Sequence, residues 1–212
     1  MILSTAYLPP ISYYAARLGA AEVVIEQHEN YQKQSYRNRA HICSPQGLLP
    51  LSIPVEKPAN GSMAIREMLL SEHGDWRHRH WNALVSAYNS TPFFEYYADD
   101  FAPFYHERRY RYLWDYNEAL RAKIDLFIGV SLPYSLSAEY HKADADVLDV
   151  RLVMQPKRDH LITSQLAAHP YYQVFAGKLG FVPNLSIVDL LFNCGPEAIL
   201  TLRRLSKALL PR

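Results

Sequence analysis

The sequence is poor in cysteine and contains no long apolar run. Its two cysteines, Cys43 and Cys194, lie far apart and form no CxxC motif, so neither a zinc site nor a disulfide framework is predicted. No stretch approaches the roughly 20 apolar residues of a membrane-spanning helix. Pro9-Pro10 comes before any run long enough for a signal-peptide core. The sequence therefore predicts a cytoplasmic protein with no membrane span and no bound metal.

An excess of one charge is also missing. Twenty-two basic residues stand against twenty-one acidic ones, which leaves a formal charge of +1, so no nucleic-acid partner is predicted. The chain has neither a G-x-G-x-x-G motif nor a Walker lysine motif, and we predict no cofactor. The acidic residues Asp144, Asp146 and Asp149 lack the glycine and glutamate of a calcium loop, and we interpret them as part of a solvated loop.

The chain has enough apolar content for one large core. Its 212 residues are 49% hydrophobic, which predicts a single domain over residues 1–212. The opening is predicted to be a strand over Ile2 to Tyr7, a helix over Ile11 to Leu18 and a buried strand over Ala21 to Gln27. Such a βαβ-like unit forms a right-handed crossover with a parallel pair of strands.

The pattern changes twice after this unit. Ala40 to Cys43 and Leu48 to Val55 are predicted to pair around a turn, and Ala64 to Leu70 to form a further strand. Predicted helices follow over Asp75 to Tyr88 with Asp75 as N-cap, from Phe93 toward Asp99, over Tyr112 to Phe127, over Tyr172 to Leu179 and over Ile187 to Leu209 with an interruption at Gly195-Pro196. Ser131 to Pro170 is predicted to be a long, partly ordered connection. The expected fold is α/β, with a small mixed sheet in about residues 1–72 and a mostly helical part in about residues 73–212.

The densest polar segment follows the second strand. Ligands in α/β sheets bind beyond the carboxyl ends of strands, and arginine binds phosphate or carboxylate through a two-pronged fork. The alternative to a ligand site is an exposed loop whose charged side chains are simply solvated. We favour a ligand site formed by Asn30, Tyr31, Lys33, Ser35, Tyr36, Arg37, Asn38 and Arg39, with Tyr7 from the first loop beside it.

Histidines and tyrosines are the remaining candidates for function. A catalytic site needs a base, and we consider His28, His80 and then His41; the alternative for His80, which shares the apolar face of its helix with Trp76, is a satisfied core histidine. The sixteen tyrosines suit stacking on a sugar, but we favour packing for most of them.

Three segments together resemble the WbqC-like protein family. They are Ala6-Tyr7-Leu8-Pro9-Pro10, the run from Tyr31 to Arg39, and the tail from Gly180 to Asn193. The resemblance implies a bacterial protein associated with cell-surface polysaccharide genes. The activity that it suggests is transfer of an acyl or aminoacyl group to a nucleotide-linked amino sugar, whose pyrophosphate would meet Arg37 and Arg39.

The chain departs from the family pattern at two places. Ser4-Thr5-Ala6 stands where the family commonly has His-Gln-Pro, and Gln27-His28 where it often has a pair of aspartates. These departures favour the alternatives of a non-catalytic binder of an anionic sugar ligand, or a scaffold for envelope assembly. The partner expected is a small molecule, with a nucleotide sugar as the candidate, and a homo-oligomer is left open.

Overall fold

The N-terminal part contains the expected βαβ unit. The protein is described by a computed structural model over residues 1–56, 61–142 and 147–209. Strand β1 (Ile2–Ser4), helix α1 (Ile11–Gly19) and strand β2 (Val24–Glu26) follow in order, and the two strands pair in parallel. Both strands are shorter than predicted, since the strand pairing covers only Ile2 to Ser4 and Val24 to Glu26, although burial continues past β1 at Ala6 and Tyr7.

Later parts of the chain extend this sheet on both sides. Strand β5 (Ser135–Leu136) pairs in parallel with β2. On the other side of β1, the amide of Ile2 donates to the carbonyl of Leu148 at 2.9 Å, and the amide of Val150 donates to the carbonyl of Ile2 at 3.2 Å. The order across the sheet is therefore β5, β2, β1 and residues 148–150, so the direction of winding reverses at β1.

A separate antiparallel hairpin follows. Strands β3 (Arg39–Ser44) and β4 (Gly47–Ser52) pair with His41 opposite Pro50, and the turn uses Gly47 at a φ of 114°, which favours glycine. The chain thus combines parallel and antiparallel strands in two small sheets, and the expected α/β class is confirmed.

The further strand predicted over Ala64 to Leu70 is wrong. Residues Ile65–Glu67 form a short 3-10 helix, flanked by isolated bridges at Ala64 and Leu70. Ile65 and Met68 are both fully buried, and their spacing of three matches the turn of a 3-10 helix rather than the alternation of a strand.

The C-terminal half is mainly helical, as expected. The 3-10 segments are His73–Asp75 and Gly195–Glu197, and the helices are α2 (Trp76–Tyr88), α3 (Phe94–His106), α4 (Leu113–Ile128), α5 (His160–Ala167), α6 (Ala176–Leu179), α7 (Ile187–Cys194) and α8 (Ala198–Leu209). Helix α3 is longer than predicted because Phe101 and Phe104 continue its buried face. The predicted connection from Ser131 to Pro170 contains β5 and α5. Within the described ranges, none of the helices has both the length and the hydropathy that crossing a bilayer requires.

Aromatic side chains fill much of the core. Tyr7, Tyr14, Tyr88 and Tyr116 have no exposed surface, so the preference for tyrosine packing is confirmed at these positions. Phe192 lies among other rings, with centroid distances of 5.2 Å to Tyr88, 5.1 Å to Phe94 and 5.6 Å to Phe101. The core therefore joins α2, α3 and α7 into one body.

Candidate functional site

Polar residues collect at the carboxyl edge of the parallel sheet. Ser4 ends β1, Glu26 ends β2, Ser137 follows β5, and Arg151 comes two residues after Asp149, which bridges in parallel to Ile2 of β1. The winding of the sheet reverses next to β1, and ligands in open α/β sheets bind beyond the carboxyl ends of strands at such a reversal. This edge is the place where the topology favours a site.

Glu26 is the most deeply buried carboxylate at this edge. Its side chain is unexposed and accepts hydrogen bonds from Ser137 Oγ at 2.7 Å, from the amide of His28 at 2.7 Å and from the amide of His141 at 2.8 Å. Burial alone would raise the pKa of the Glu26 carboxyl. The donors from His141, Ser137 and His28, together with the charge of Arg151, outweigh burial and hold that pKa below its ordinary value. Glu26 is therefore held as an anion.

A second buried pair joins Glu29 and Arg37. Arg37 Nε donates to Glu29 Oε1 at 2.7 Å, and Arg37 Nη2 donates to Glu29 Oε2 at 2.5 Å and to Ser4 Oγ at 2.6 Å. The two side chains are only 2% and 4% exposed. This bidentate pair ties the segment after β2 to the end of β1, and it uses most of the hydrogen-bonding capacity of the guanidinium group.

A third pair comes from a distant segment. Arg151 donates to Asp149 through Nε at 2.9 Å and through Nη2 at 2.6 Å, and its Nη1 lies 3.6 Å from Glu26 Oε2. Burial would raise the pKa of the Asp149 carboxyl, but Arg151 lowers it below its ordinary value. Together with the Glu29 and Arg37 pair, the edge carries three carboxylates and two guanidinium groups, a net charge of one negative unit when histidines are counted as neutral. One histidine, His141, has its Nδ1 3.3 Å from Glu26 Oε2.

A cavity of about 350 Å³ opens beside these groups. Its size lies within the range of roughly 300–1,000 Å³ that is usual for small-molecule sites. Within the described part of the chain, no group of three or more His, Cys, Asp and Glu side chains is arranged to hold a metal ion. The cavity is lined by His28, Glu29, Asn30, Gln32, Tyr140, Asp149, Arg151 and Leu152.

The fold brings only some of the predicted site residues to the cavity. His28 and Asn30 line the cavity, and Arg37 reaches its wall through Glu29. Lys33 is exposed and Tyr31 is half-buried against the core. The other four donate to groups of the protein itself. Ser35 Oγ donates to the Gln32 carbonyl at 2.6 Å, the Tyr36 hydroxyl to Asp159 at 2.5 Å and Asn38 Nδ2 to the Ile53 carbonyl at 2.8 Å. At the surface, Arg39 Nε donates to Ser52 Oγ at 3.0 Å. Among the described residues, Arg37 and Arg39 therefore have different partners.

Tyr7 and His80 lie in the core rather than at the sheet edge. The Tyr7 hydroxyl lies 2.9 Å from His80 Nδ1 and 3.0 Å from the Tyr105 hydroxyl, and the His80 ring packs edge-on against Trp76. Burial lowers the pKa of His80 to about 4, so the ring is neutral near pH 7. This is the environment of a satisfied core histidine. His41, the third histidine considered, is half-buried against Tyr36, and burial lowers its pKa as well.

Comparison with known proteins agrees with the resemblance noted in the sequence. A model of the WbqC-like protein family matches residues 5–173 and 160–201. The chain belongs to the WbqC-like protein family. It is similar to the uncharacterised protein Rv1507c of Mycobacterium tuberculosis, with 29% identity over 220 residues that cover 93% of this chain and 94% of the relative. No solved structure matches this WbqC-like chain.

The tail that carries the family likeness has a structural role in this WbqC-like chain. Ser186 Oγ accepts from the amide of Val188 as the N-cap of α7 and donates to the carbonyl of Leu8 at 2.8 Å. Asn184 Oδ1 accepts from the amide of Ser12 at 3.2 Å. Asp189 lies in the first turn of α7, where its carboxylate faces the positive end of the helix dipole. The tail therefore holds the loop that follows β1.

Several residues at the edge were missed from the sequence. Glu26 directly follows the Val23-Val24-Ile25 run and Glu29 comes three residues later, and the rule that selected Asn30 to Arg39 applies equally to them. Asp149 was interpreted as part of a solvated loop, but its side chain is only 12% exposed and is paired with Arg151. Burial of this pair depends on contact with β1, which no local pattern indicates. Asp144 and Asp146 lie outside the described residues.

Proposed function

We propose that this WbqC-like chain binds the amino-sugar part of a nucleotide-linked sugar in the cavity at the sheet edge. The observation that carries the proposal is a cavity of about 350 Å³ beside a buried network in which carboxylates outnumber guanidinium groups. An ammonium group offsets the extra negative charge, and sugar hydroxyl groups donate to carboxylate oxygens.

The lining residues suit a sugar in other ways. Asn30 and Gln32 supply carboxamide groups, which both donate and accept hydrogen bonds. The Tyr140 side chain, 52% exposed, lies over Arg151 with the guanidinium carbon 5.4 Å from the ring centroid. Tyrosine offers a flat apolar face against which the face of a sugar ring can pack. The carboxamide groups can therefore bind the hydroxyl groups of a sugar, and the tyrosine ring can pack against its face.

Acyl or aminoacyl transfer is the reaction that we propose at this site. A base first takes a proton from the bound ammonium group, and the resulting amine nitrogen attacks the carbonyl of an acyl thioester. The C–N bond forms as the C–S bond breaks, and the thiolate leaves with the second proton of the amine as a thiol. His28 lines the cavity, and we assign the base to it rather than to the buried His80. The alternative is a binder in which His28 only contacts the ligand. A cytoplasmic location and a homo-oligomer remain predictions.

Titration with matched ligands tests the proposal. We expect a UDP-linked amino sugar with a free amine to bind more tightly than the same compound with a hydroxyl in place of the amine. Asn30→Ala should weaken binding by about three- to tenfold, the effect of one or two lost hydrogen bonds. Asn89→Ala, which removes an exposed asparagine at the end of α2, is the matched control and should bind as the wild type does.

The same ligands separate the alternatives. Turnover with a thioester acyl donor that is lost in His28→Ala but kept in His73→Ala supports the enzyme. Binding without turnover supports the binder. If no amino-sugar compound binds, the site proposal fails, and the scaffold alternative, which relies on exposed tyrosines such as Tyr96 at 76% exposure, becomes the better one.

A further inference from the structure

A second cavity lies at the N-terminus of α2. It has a volume of about 300 Å³, and none of its lining residues belongs to the sheet-edge site. Four of them carry basic side chains and two carry carboxylates. The lining residues are Glu72, Asp75, Trp76, Arg77, His78, Tyr105, His106 and Arg108.

The N-terminus of α2 has no side-chain cap within the described chain. Asp75 was predicted to cap it, but this residue has a left-handed backbone with φ 47° and ψ 43°, and its side chain makes no capping hydrogen bond. The first turn of a helix has amide groups without a partner inside the helix. These amides and the helix dipole favour an anion at this end of the 13-residue helix.

Arg77 provides the second, independent observation. Its side chain lines the cavity and is only 6% exposed. Its Nη1 donates to both carboxylate oxygens of Glu72, at 2.7 and 2.6 Å, while Nε and Nη2 have no hydrogen-bond partner among the described residues. These two nitrogens have almost no accessible surface, and the guanidinium carbon lies 4.5 Å from the centroid of the Trp76 ring, so stacking on Trp76 offsets only part of the cost of their missing hydrogen bonds. Arg77 therefore faces the cavity through Nη1, the nitrogen that Glu72 occupies.

Glu72 and Arg108 complete the arrangement. Arg108 Nε lies 3.5 Å from Glu72 Oε2, so the Glu72 carboxylate lies between two guanidinium groups. The Glu72 side chain is 46% exposed, and it can leave this position for solvent without being buried elsewhere. A carboxylate of the chain thus stands where an external anion would be bound.

We propose that this cavity binds a phosphate group. Arg77 and Arg108 contact its oxygens, the amides at the start of α2 donate to it, and Glu72 is the internal anion that it displaces. A phosphate has more acceptor oxygens and more negative charge than the carboxylate, so it can accept from both guanidinium groups and from the amides at the start of α2 at the same time. The site is separate from the sheet-edge cavity and does not depend on the function proposed for it.

Calorimetric titration of the full chain with inorganic phosphate, at constant ionic strength, tests the proposal. We expect saturable binding with one site. Arg108→Ala and Arg77→Lys should each weaken it by about tenfold or more, since each removes a charge-assisted contact. Glu72→Gln should strengthen binding because it removes the competing charge.

Arg109→Ala is the matched control. Arg109 is exposed, pairs with Glu107 and does not line the cavity, so its removal should leave phosphate binding unchanged. Arg77 is buried and its variant needs a check of folding by circular dichroism, but Arg108 is 73% exposed and its variant decides the matter by itself. The proposal is overturned if the wild type shows no saturable binding, if Arg108→Ala binds phosphate as Arg109→Ala does, or if Glu72→Gln weakens binding.

Discussion

Arg37 and Arg39 are two residues apart in the chain but have different environments. Arg37 is 2% exposed and forms a bidentate pair with the buried Glu29. Arg39 is half-exposed and donates to Ser52 on the neighbouring strand. Loss of one partner from a buried ion pair leaves an uncompensated charge, whereas a surface contact adds little. The first arginine is therefore expected to stabilise the fold and the second is not.

Arg37→Ala should lower the free energy of unfolding by about 3–5 kcal/mol, because it leaves the Glu29 carboxylate buried and unpaired. Urea denaturation at pH 7 measures this change. Arg39→Ala is the matched control and should change stability by less than about 0.5 kcal/mol.

A double variant separates lost charge pairing from lost packing. Arg37→Met combined with Glu29→Leu removes both charges and keeps much of the volume, so it should be more stable than Arg37→Ala alone. If Arg37→Ala and Arg39→Ala were equally mild, the pair would have no structural role, and Arg37 would again be a candidate for contact with the ligand.

Single residues were predictable where the reason is local. The packing of Tyr88 and Tyr116 and the cap at Ser186 follow from apolar spacing and helix-start chemistry. The partner of Arg37 was not predictable in this way, because Glu29 meets it only after the intervening segment folds back and brings Ser4 alongside. A basic run in a sequence does not reveal which of its charges are already paired.

At the scale of elements, α7 connects the C-terminal part to the loop after β1. Its N-cap Ser186 accepts from the amide of Val188 and donates to the carbonyl of Leu8, while the amide of Ile187 donates to the carbonyl of Pro9 at 2.8 Å. Leu8 has a φ of 38°, an uncommon conformation for a residue with a side chain. The hydrogen bonds from α7 hold the loop in this conformation.

Ser186→Ala should lower the free energy of unfolding by about 1–3 kcal/mol, since it removes the cap and leaves the buried carbonyl of Leu8 without its donor. Thermal or urea unfolding measures the change. Ser90→Ala, at an exposed position, is the control and should be neutral. Equal stability of Ser186→Ala and Ser90→Ala would contradict this role of the serine.

Elements with a long, regular pattern were predicted best. Helices α2 and α4 begin and end within one residue of the predicted bounds, because many residues of each repeat the same apolar face. The strands of the parallel sheet have two or three residues each, too few to show a period. Strand β5 lies in the segment predicted to be a long connection. It pairs with the edge of β2 that faces away from β1.

At the scale of the whole molecule, the candidate site is assembled from distant segments. Glu26 meets Ser137 and His141, which lie more than one hundred residues further along the chain, and Arg151 approaches the same carboxylate. The sequence led us to expect a ligand at the carboxyl edge of this sheet, where a cavity lies, but it did not indicate the residues that come to this edge from the other end of the chain. Non-local pairing of this kind depends on the completed topology.

The pH dependence of stability is also a property of the whole molecule, because two buried groups act in opposite directions. Burial lowers the pKa of His80 from 6.5 to about 4. Its contribution to stability is therefore fully present above pH 6.5 and is lost as the pH falls toward 4. Burial raises the pKa of Asp189 from 3.8 to about 6, against the donors Tyr171, Tyr88 and Gln173. That contribution is fully present below pH 3.8 and is lost as the pH rises through 6.

We expect the two contributions to offset each other between about pH 4 and pH 6.5. At about 1.4 kcal/mol for each unit of pKa, each shift corresponds to ~3 kcal/mol at most. His80→Gln should make the protein relatively more stable as the pH falls, and Asp189→Asn should make it relatively less stable, when each is compared with the wild type in urea unfolding from pH 7 to pH 4. Both substitutions also alter buried hydrogen bonds at every pH, so the test is how the difference in unfolding free energy between variant and wild type changes with pH.

If this difference stays constant from pH 7 to pH 4, neither group changes its affinity for protons on folding. If it changes with pH in the opposite direction, burial is not the dominant influence on either pKa.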